Sequence, residues 1–162
     1  LTTTASIVYA GAGTITLTSS GLASTAGLLA GRASTAVDNS STKNVDFLVG
    51  GKLVTTATTT TNTVIQIWAY GSYDGTTYTG GITGSDANIT LDTGAKNLLK
   101  MLCIIPNITT TAVTYAWGPY SVAQAFGGVC PIKWGIYIVQ NTGTALAAGG
   151  ETKYTPVNYQ SA

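Results

Sequence analysis

The chain has 162 residues, of which 44% are hydrophobic and 8% charged, with a formal net charge of +1. An ordinary soluble domain carries about 25% charged residues, so the clustered Lys and Arg that phosphate binding needs are missing, and a nucleic-acid partner is excluded. The length suits one domain, 1–162, with an N-terminal arm over about residues 1–12, and the apolar content is enough for a core.

Threonine stands where charge usually stands. It is β-branched and suits half-exposed pleated surfaces. With 20 glycines and few good helix formers, the composition points to an all-β fold. In "GTITLTSSG", Thr14, Thr16 and Thr18 alternate with Ile15 and Leu17, which predicts a half-buried strand. "GLLAGRASTAVDNSS" starts apolar and ends in a turn cluster, Asp38–Ser41. In "NVDFLVGGKLVTT", Val45, Phe47 and Val49 share a face, and Gly50-Gly51 marks a bulge or bend.

"NTVIQIWAYGS" is the clearest strand. Ile65, Ile67 and Ala69 face one way; Val64, Gln66, Trp68 and Tyr70 face the other, which predicts a second, partly covered face. "YDGTTYTGGITGSDAN" is a long polar connection with several turn signals. "ITLDTG" reads as a short strand. "NLLKMLCIIPN" shows no alternation and reads as a central strand covered on both faces, with a short helix as the rival and Pro106 as the stop. "SVAQAFGG" is the single expected helix, with Ser121 as N-cap and Gly127 after its end. "KWGIYIVQNTG" is a strong strand, and "ETKYTPVNY" a last one that Pro156 places at an edge. Roughly eight strands result, the pattern of an antiparallel β-sandwich of jelly-roll kind with at most one short helix.

No run approaches the roughly 18 apolar residues of a membrane span, so no membrane partner is expected. No basic n-region opens the chain, and Leu1 in place of Met reads as a processed or truncated end. Histidine is absent, which removes Ser-His-Asp and Cys-His arrangements and the commonest metal ligand. The acids Asp38, Asp46, Asp74, Asp86, Asp92 and Glu151 show no spacing that pairs them for catalysis. The segment 74–86 lacks the dense acids of a calcium loop, and Asp74-Gly75 reads as a turn. No enzyme activity, metal or cofactor is expected. Cys103 and Cys130 are expected as free thiols rather than a bridge, and the sequons at Asn39, Asn88 and Asn107 are common triplets in a Thr-rich chain. Arg32, set between apolar stretches, needs a partner; Asp38 and Asp46 are candidates, and the pair Arg32–Asp38 is the expected structural ion pair. Trp68, Tyr70, Tyr73 and Tyr78 suit a core or subunit contact; the rival is a carbohydrate-binding or adhesion module of tail-fibre type, with Trp68, Tyr73 or Tyr78 stacking on sugar.

The segments "LLAGRASTAVDN", "VIQIWAYGSYDGTTY", "GITGSDANITL", "WGPYSVAQAFGGVCPIKWGIYIVQNTGTAL" and "YTPV" resemble small virion proteins of tailed bacteriophages, the head-decoration or cement proteins encoded near the major capsid gene. The resemblance covers about Gly27 to Val157 and carries no catalytic motif. It implies a β-sandwich made in the host cytoplasm that oligomerises on the capsid surface of the virion and clamps neighbouring major capsid protein subunits. A homotrimer is expected, since three-fold lattice positions suit it. Its contacts are expected from the apolar N-terminal segment (Leu1, Ile7, Val8, Tyr9) and the Gly/Tyr loop (Tyr73, Tyr78, Ile82). A terminal segment stays ordered only when something holds it; a capsid neighbour is one candidate, and pairing within its own sheet is the other.

Overall fold

The computed structural model describes residues 4–161. In chain order its elements are β1 (Ala5–Tyr9), β2 (Gly13–Ile15), β3 (Ala30–Ala33), β4 (Val37–Asp38), β5 (Asp46–Val54), β6 (Thr63–Ser72), a 3₁₀ turn (Thr79–Gly81) and β7 (Ala87–Thr90). Then follow α1 (Thr93–Asn97), β8 (Lys100–Asn107), β9 (Thr114–Ser121), α2 (Val122–Ala125), β10 (Lys133–Gln140) and β11 (Glu151–Ser161). The strands form two antiparallel sheets, one ordered β1-β11-β5-β9 with β2 also on β11, the other ordered β7-β3-β10-β6-β8 with β4 also on β10. The chain changes sheet at β2–β3, β4–β5, β5–β6, β8–β9, β9–β10 and β10–β11. With β1 and β2 taken as one interrupted strand, and β4 and β7 as additions, this is the eight-strand order of a jelly roll.

Alternation decides which side chains enter the space between the sheets. Ile15, Leu17, Phe47, Val49, Ile65, Ile67, Ile136 and Ile138 are all buried there, with Trp117 and Trp134. Phe47 lies against the Trp134 ring at 5.2 Å between centroids. Each such side chain stabilises the fold by about 1.5–3 kcal/mol. The register of β5 on β9 shifts between Val49 and Gly51, so Gly50-Gly51 is a bulge as the sequence suggests. A Cβ on Gly50 would meet the Trp117 carbonyl at 2.7 Å, which is why the bulge carries glycine.

The outer face of the six-stranded sheet has its own core. Trp68, Tyr70, Tyr137 and Val139 project from it, and the segment between β6 and β8 folds over them through Ile82, Leu91 and Leu99. Lys96 closes this layer. Its Nζ donates to the Leu28 carbonyl at 2.6 Å and to Gln66 Oε1 at 2.7 Å, and lies 5.0 Å from the Trp68 ring centroid. Lys96 is therefore a buried clamp, 8% exposed.

Three expectations need correction. A second short helix, α1, exists, with Asp92 accepting from the Ala95 N–H at 2.7 Å as its N-cap. β8 is an edge strand, not a central one, and it runs through Pro106 to Asn107. β11 lies between β1 and β5, so Pro156 is not on an edge strand. Its carbonyl accepts from Ala10 N at 3.0 Å, so its nitrogen faces the interruption between β1 and β2, where no ladder acceptor waits.

Candidate interaction surfaces

Each of the six carboxylates is already engaged. Asp46 Oδ2 accepts from the Ser121 hydroxyl at 2.6 Å and Oδ1 from the Ala123 N–H at 2.7 Å, which caps α2. Asp74 accepts from the Thr77 and Thr76 N–H groups and from the Thr77 and Ser72 hydroxyls, and these bonds hold it well below the usual carboxylate range. Asp92 caps α1, and Glu151 sits between Lys52 at 3.4 Å and Lys153 at 3.3 Å. Among the described residues no three acids and cysteines gather as a metal site would require.

The ion pairing differs from expectation. Arg32 binds Asp86, not Asp38, at 2.6 Å, and Asp38 pairs with Lys133 at 3.4 Å. The reason is register: Arg32 of β3 lies opposite Asn88 of β7, so its guanidinium reaches the residue just before β7.

Of the expected contact residues, Leu1 lies outside the described residues. Ile7 and Tyr9 are exposed on β1, and Val8, on the opposite face, is half-buried. β1 pairs with β11 along its whole length, so its own sheet holds it. Of the three expected contact residues in the Gly/Tyr loop, Tyr73 alone is exposed, at 78%. Ile82 is buried in the outer core and is corrected from interface to core, while Tyr78 packs edge-on against Tyr70 at 5.7 Å. Trp68 is buried too. Tyr73 is thus the one exposed ring of the proposed sugar platform.

The exposed large apolar residues fall mainly in two groups. Ile7 lies opposite Tyr159 and Tyr9 opposite Val157, so all four share the outer face of the five-stranded sheet. There Ile7, Val45, Asp46, Val157, Tyr159 and Gln124 line a groove of about 600 Å³ beside α2. The second group lies on and before β8: Leu98, Met101 and Ile104, with Met101 opposite Trp68 and Ile104 opposite Gln66 on the outer face, whereas Lys100, opposite Ala69, is on the other. The sequence signalled this row only as an unbroken apolar run.

Four loops, residues 19–29, 55–62, 108–113 and 141–150, meet at one end of the sandwich, and none contains a charged residue. Threonine joins them. Thr56 and Thr144 hydroxyls lie 2.6 Å apart, the Thr59 hydroxyl donates to the Thr109 carbonyl at 2.7 Å, and the Thr60 N–H donates to the Thr142 carbonyl at 2.7 Å. The threonine tract therefore cross-links loops without charge.

Comparison with protein-family models, with curated proteins and with solved structures gives no match.

Proposed function

We propose that this protein is a non-enzymatic structural component of a phage virion that decorates the outer capsid surface and bridges major capsid protein subunits as a homo-oligomer, a trimer. The observation that supports this reading is the surface: apolar side chains grouped in a groove and on an edge strand, in a chain with little charge to oppose packing. Grouped exposed apolar residues mark protein contacts, and near-zero net charge suits a protein that stays in an assembly. The six carboxylates, each tied into a turn, cap or ion pair, offer no pair for acid–base work. Fold alone does not carry the reading, since jelly rolls serve many functions.

The test is cosedimentation of the purified protein with empty phage heads lacking it. Saturable binding at a fixed ratio to capsid subunits is the expected result. A protein that never cosediments with heads, yet binds a defined glycan through Tyr73, overturns the reading in favour of an adhesion module.

A further inference from the structure

The two sheets end on β1, β9, β7 and β8. A strand at the end of a sheet carries N–H and C=O groups that no neighbour takes, and proteins block such edges with proline, charge, bulges or brevity. β9 carries Pro119, with Gly118 before it at a φ of 85°. β8 carries Lys100 and Pro106, and its register on β6 shifts between Ile67 and Trp68. β7 has four residues, with Asp86 immediately before it. β1 has no proline and no charge, and its register on β11 is unbroken. Alternation shows which of its backbone groups are open. The Ala10 N–H donates to the Pro156 carbonyl, so in the ladder that continues from that pair Val8 faces Asn158, and Ser6 faces Gln160, as hydrogen-bonded pairs. The Val157 carbonyl points the other way and accepts from the Val45 N–H, as this alternation requires. The N–H and C=O groups of Ala5, Ile7 and Tyr9 therefore point away from β11, all three residues are exposed, and among the described residues no strand lies beyond them.

We infer that β1 pairs antiparallel with β1 of a second copy, about a two-fold axis at Ile7, so that two five-stranded sheets join edge to edge. The strand is complementary to itself. Centred on Ile7, the pairing sets Ile7 against Ile7 and Ala5 against Tyr9, so every outward N–H and C=O of one strand meets its partner on the other. The large Tyr9 side chain then stands beside the small Ala5, and Val8, half-buried on the opposite face, comes beside Ser6. A contact between identical strands sets any charge near its own kind, and β1 has none. Moving the centre to Ala5 or Tyr9 leaves most of each strand unmatched. The contact goes beyond the proposed function, which names a trimer: a two-fold contact cannot close a trimer and instead joins one oligomer to another.

Sedimentation of the full chain over a wide concentration range should show even-numbered assemblies: dimers, or hexamers where a trimer also forms. Ile7→Pro removes an outward donor and no bond to β11, so it should keep the fold, checked by circular dichroism, and lose the pairing. Ile7→Lys and Ile7→Glu test the register. Each alone sets like charges opposite one another, whereas an equimolar mixture sets Lys against Glu, so the mixture should associate about fivefold more tightly than either variant alone. Hydrogen exchange reads the same contact in the wild type. The Ile7 and Tyr9 amides should gain protection as concentration rises, while the Val8 amide, paired with Asn158, is protected throughout. A monomer, or a trimer that goes no further, overturns the inference. So do Ile7 and Tyr9 amides indifferent to concentration, and a Lys/Glu mixture no tighter than its components. Should Ile7→Pro not fold, the exchange measurement decides. Pairing through β1 without binding to heads removes the capsid reading alone, whereas binding to heads by a protein whose β1 amides stay unprotected removes this inference alone.

Discussion

Arg32 and Asp86, 54 residues apart in the chain, meet at 2.6 Å through Nε and Oδ1. The same carboxylate accepts from the Thr18 N–H at 3.0 Å and the Thr18 hydroxyl at 2.6 Å, so one acid ties the end of the first β segment to β3 and to the start of β7. Burial raises the Asp86 pKa, but the Arg32 and Thr18 hydrogen bonds outweigh it and leave it at about 2.

The pair predicts a pH dependence. A depressed folded-state pKa gives stability that is present above the unfolded value, near 4, and lost as pH falls through the folded value. A drop from 3.8 to about 2 is worth about 2 kcal/mol. Asp86→Asn should therefore lower stability by that amount at pH 6, with the gap closing towards pH 2. Urea midpoints of both proteins across this range measure it; a constant gap sinks the account.

Lys96 gives a second prediction. Its ammonium is held by two oxygens and an aromatic face, with no carboxylate partner among the described residues, and burial lowers its pKa. Lys96→Met keeps the apolar stem but leaves the Leu28 carbonyl and Gln66 Oε1 without this donor. The expected cost is about 1–3 kcal/mol, read from urea unfolding. A variant as stable as the wild type would show that water replaces the ammonium at no cost.

Gly135 lies opposite Tyr70 in the β10–β6 register, and the Tyr70 ring occupies the place of a Cβ at that position. The Tyr70 hydroxyl is fixed by donation to the Ser34 carbonyl at 2.7 Å, so the ring cannot easily swing away. Gly135→Ala should lower stability by about 1–3 kcal/mol through overpacking. Thermal unfolding checks this, with Gly11→Ala, where nothing lies within 4 Å of the added carbon, as the neutral control.

The fold was legible where period 2 was clean. Ile15/Leu17, Ile65/Ile67 and Ile136/Ile138 are all buried between the sheets, and Ser121 caps the expected helix by accepting from the Gln124 N–H at 2.9 Å. β8 was misread because its segment serves three environments in turn. Leu99 enters the outer core, Ile105 faces the space between the sheets, and Met101 and Ile104 face outward, so apolar residues run on without alternation. α1 has five residues, too few for a helical period to show. The partner of Arg32 was invisible because β3–β7 pairing, not chain proximity, selects it. The groove was legible only in part: Ile7 was marked, whereas Val45 and Tyr159 join it only through the pairing of β1, β11 and β5.

The thiols follow from burial. Cys103 and Cys130 are free. Burial raises both, and Asp46 adds to the rise at Cys130, which is pushed up to about 12. Thiolate is the reactive form, so a disulfide reagent at pH 8 should find almost no reactive thiol in the native protein and two after denaturation. A rapid native reaction of Cys130 contradicts this.

The last prediction concerns the N-terminal strand. None of the residues Ala5–Tyr9 is fully buried, so deleting residues 1–9 removes backbone pairing along Val157–Ser161 and little apolar burial. Backbone hydrogen bonds contribute about 0.5–1.5 kcal/mol each in net terms, and those of a terminal edge strand belong at the low end. The truncated chain should therefore fold, with the near-ultraviolet signal of buried Trp134 preserved. Function should behave differently. Ile7 is a wall of the groove, and its loss opens that groove along one side. The truncated protein should fail to associate and fail to occupy heads. If instead it unfolds, β1 is structural and Ile7→Asp in the full chain becomes the deciding variant. If it folds, associates and decorates heads at wild-type occupancy, the groove is not the contact surface.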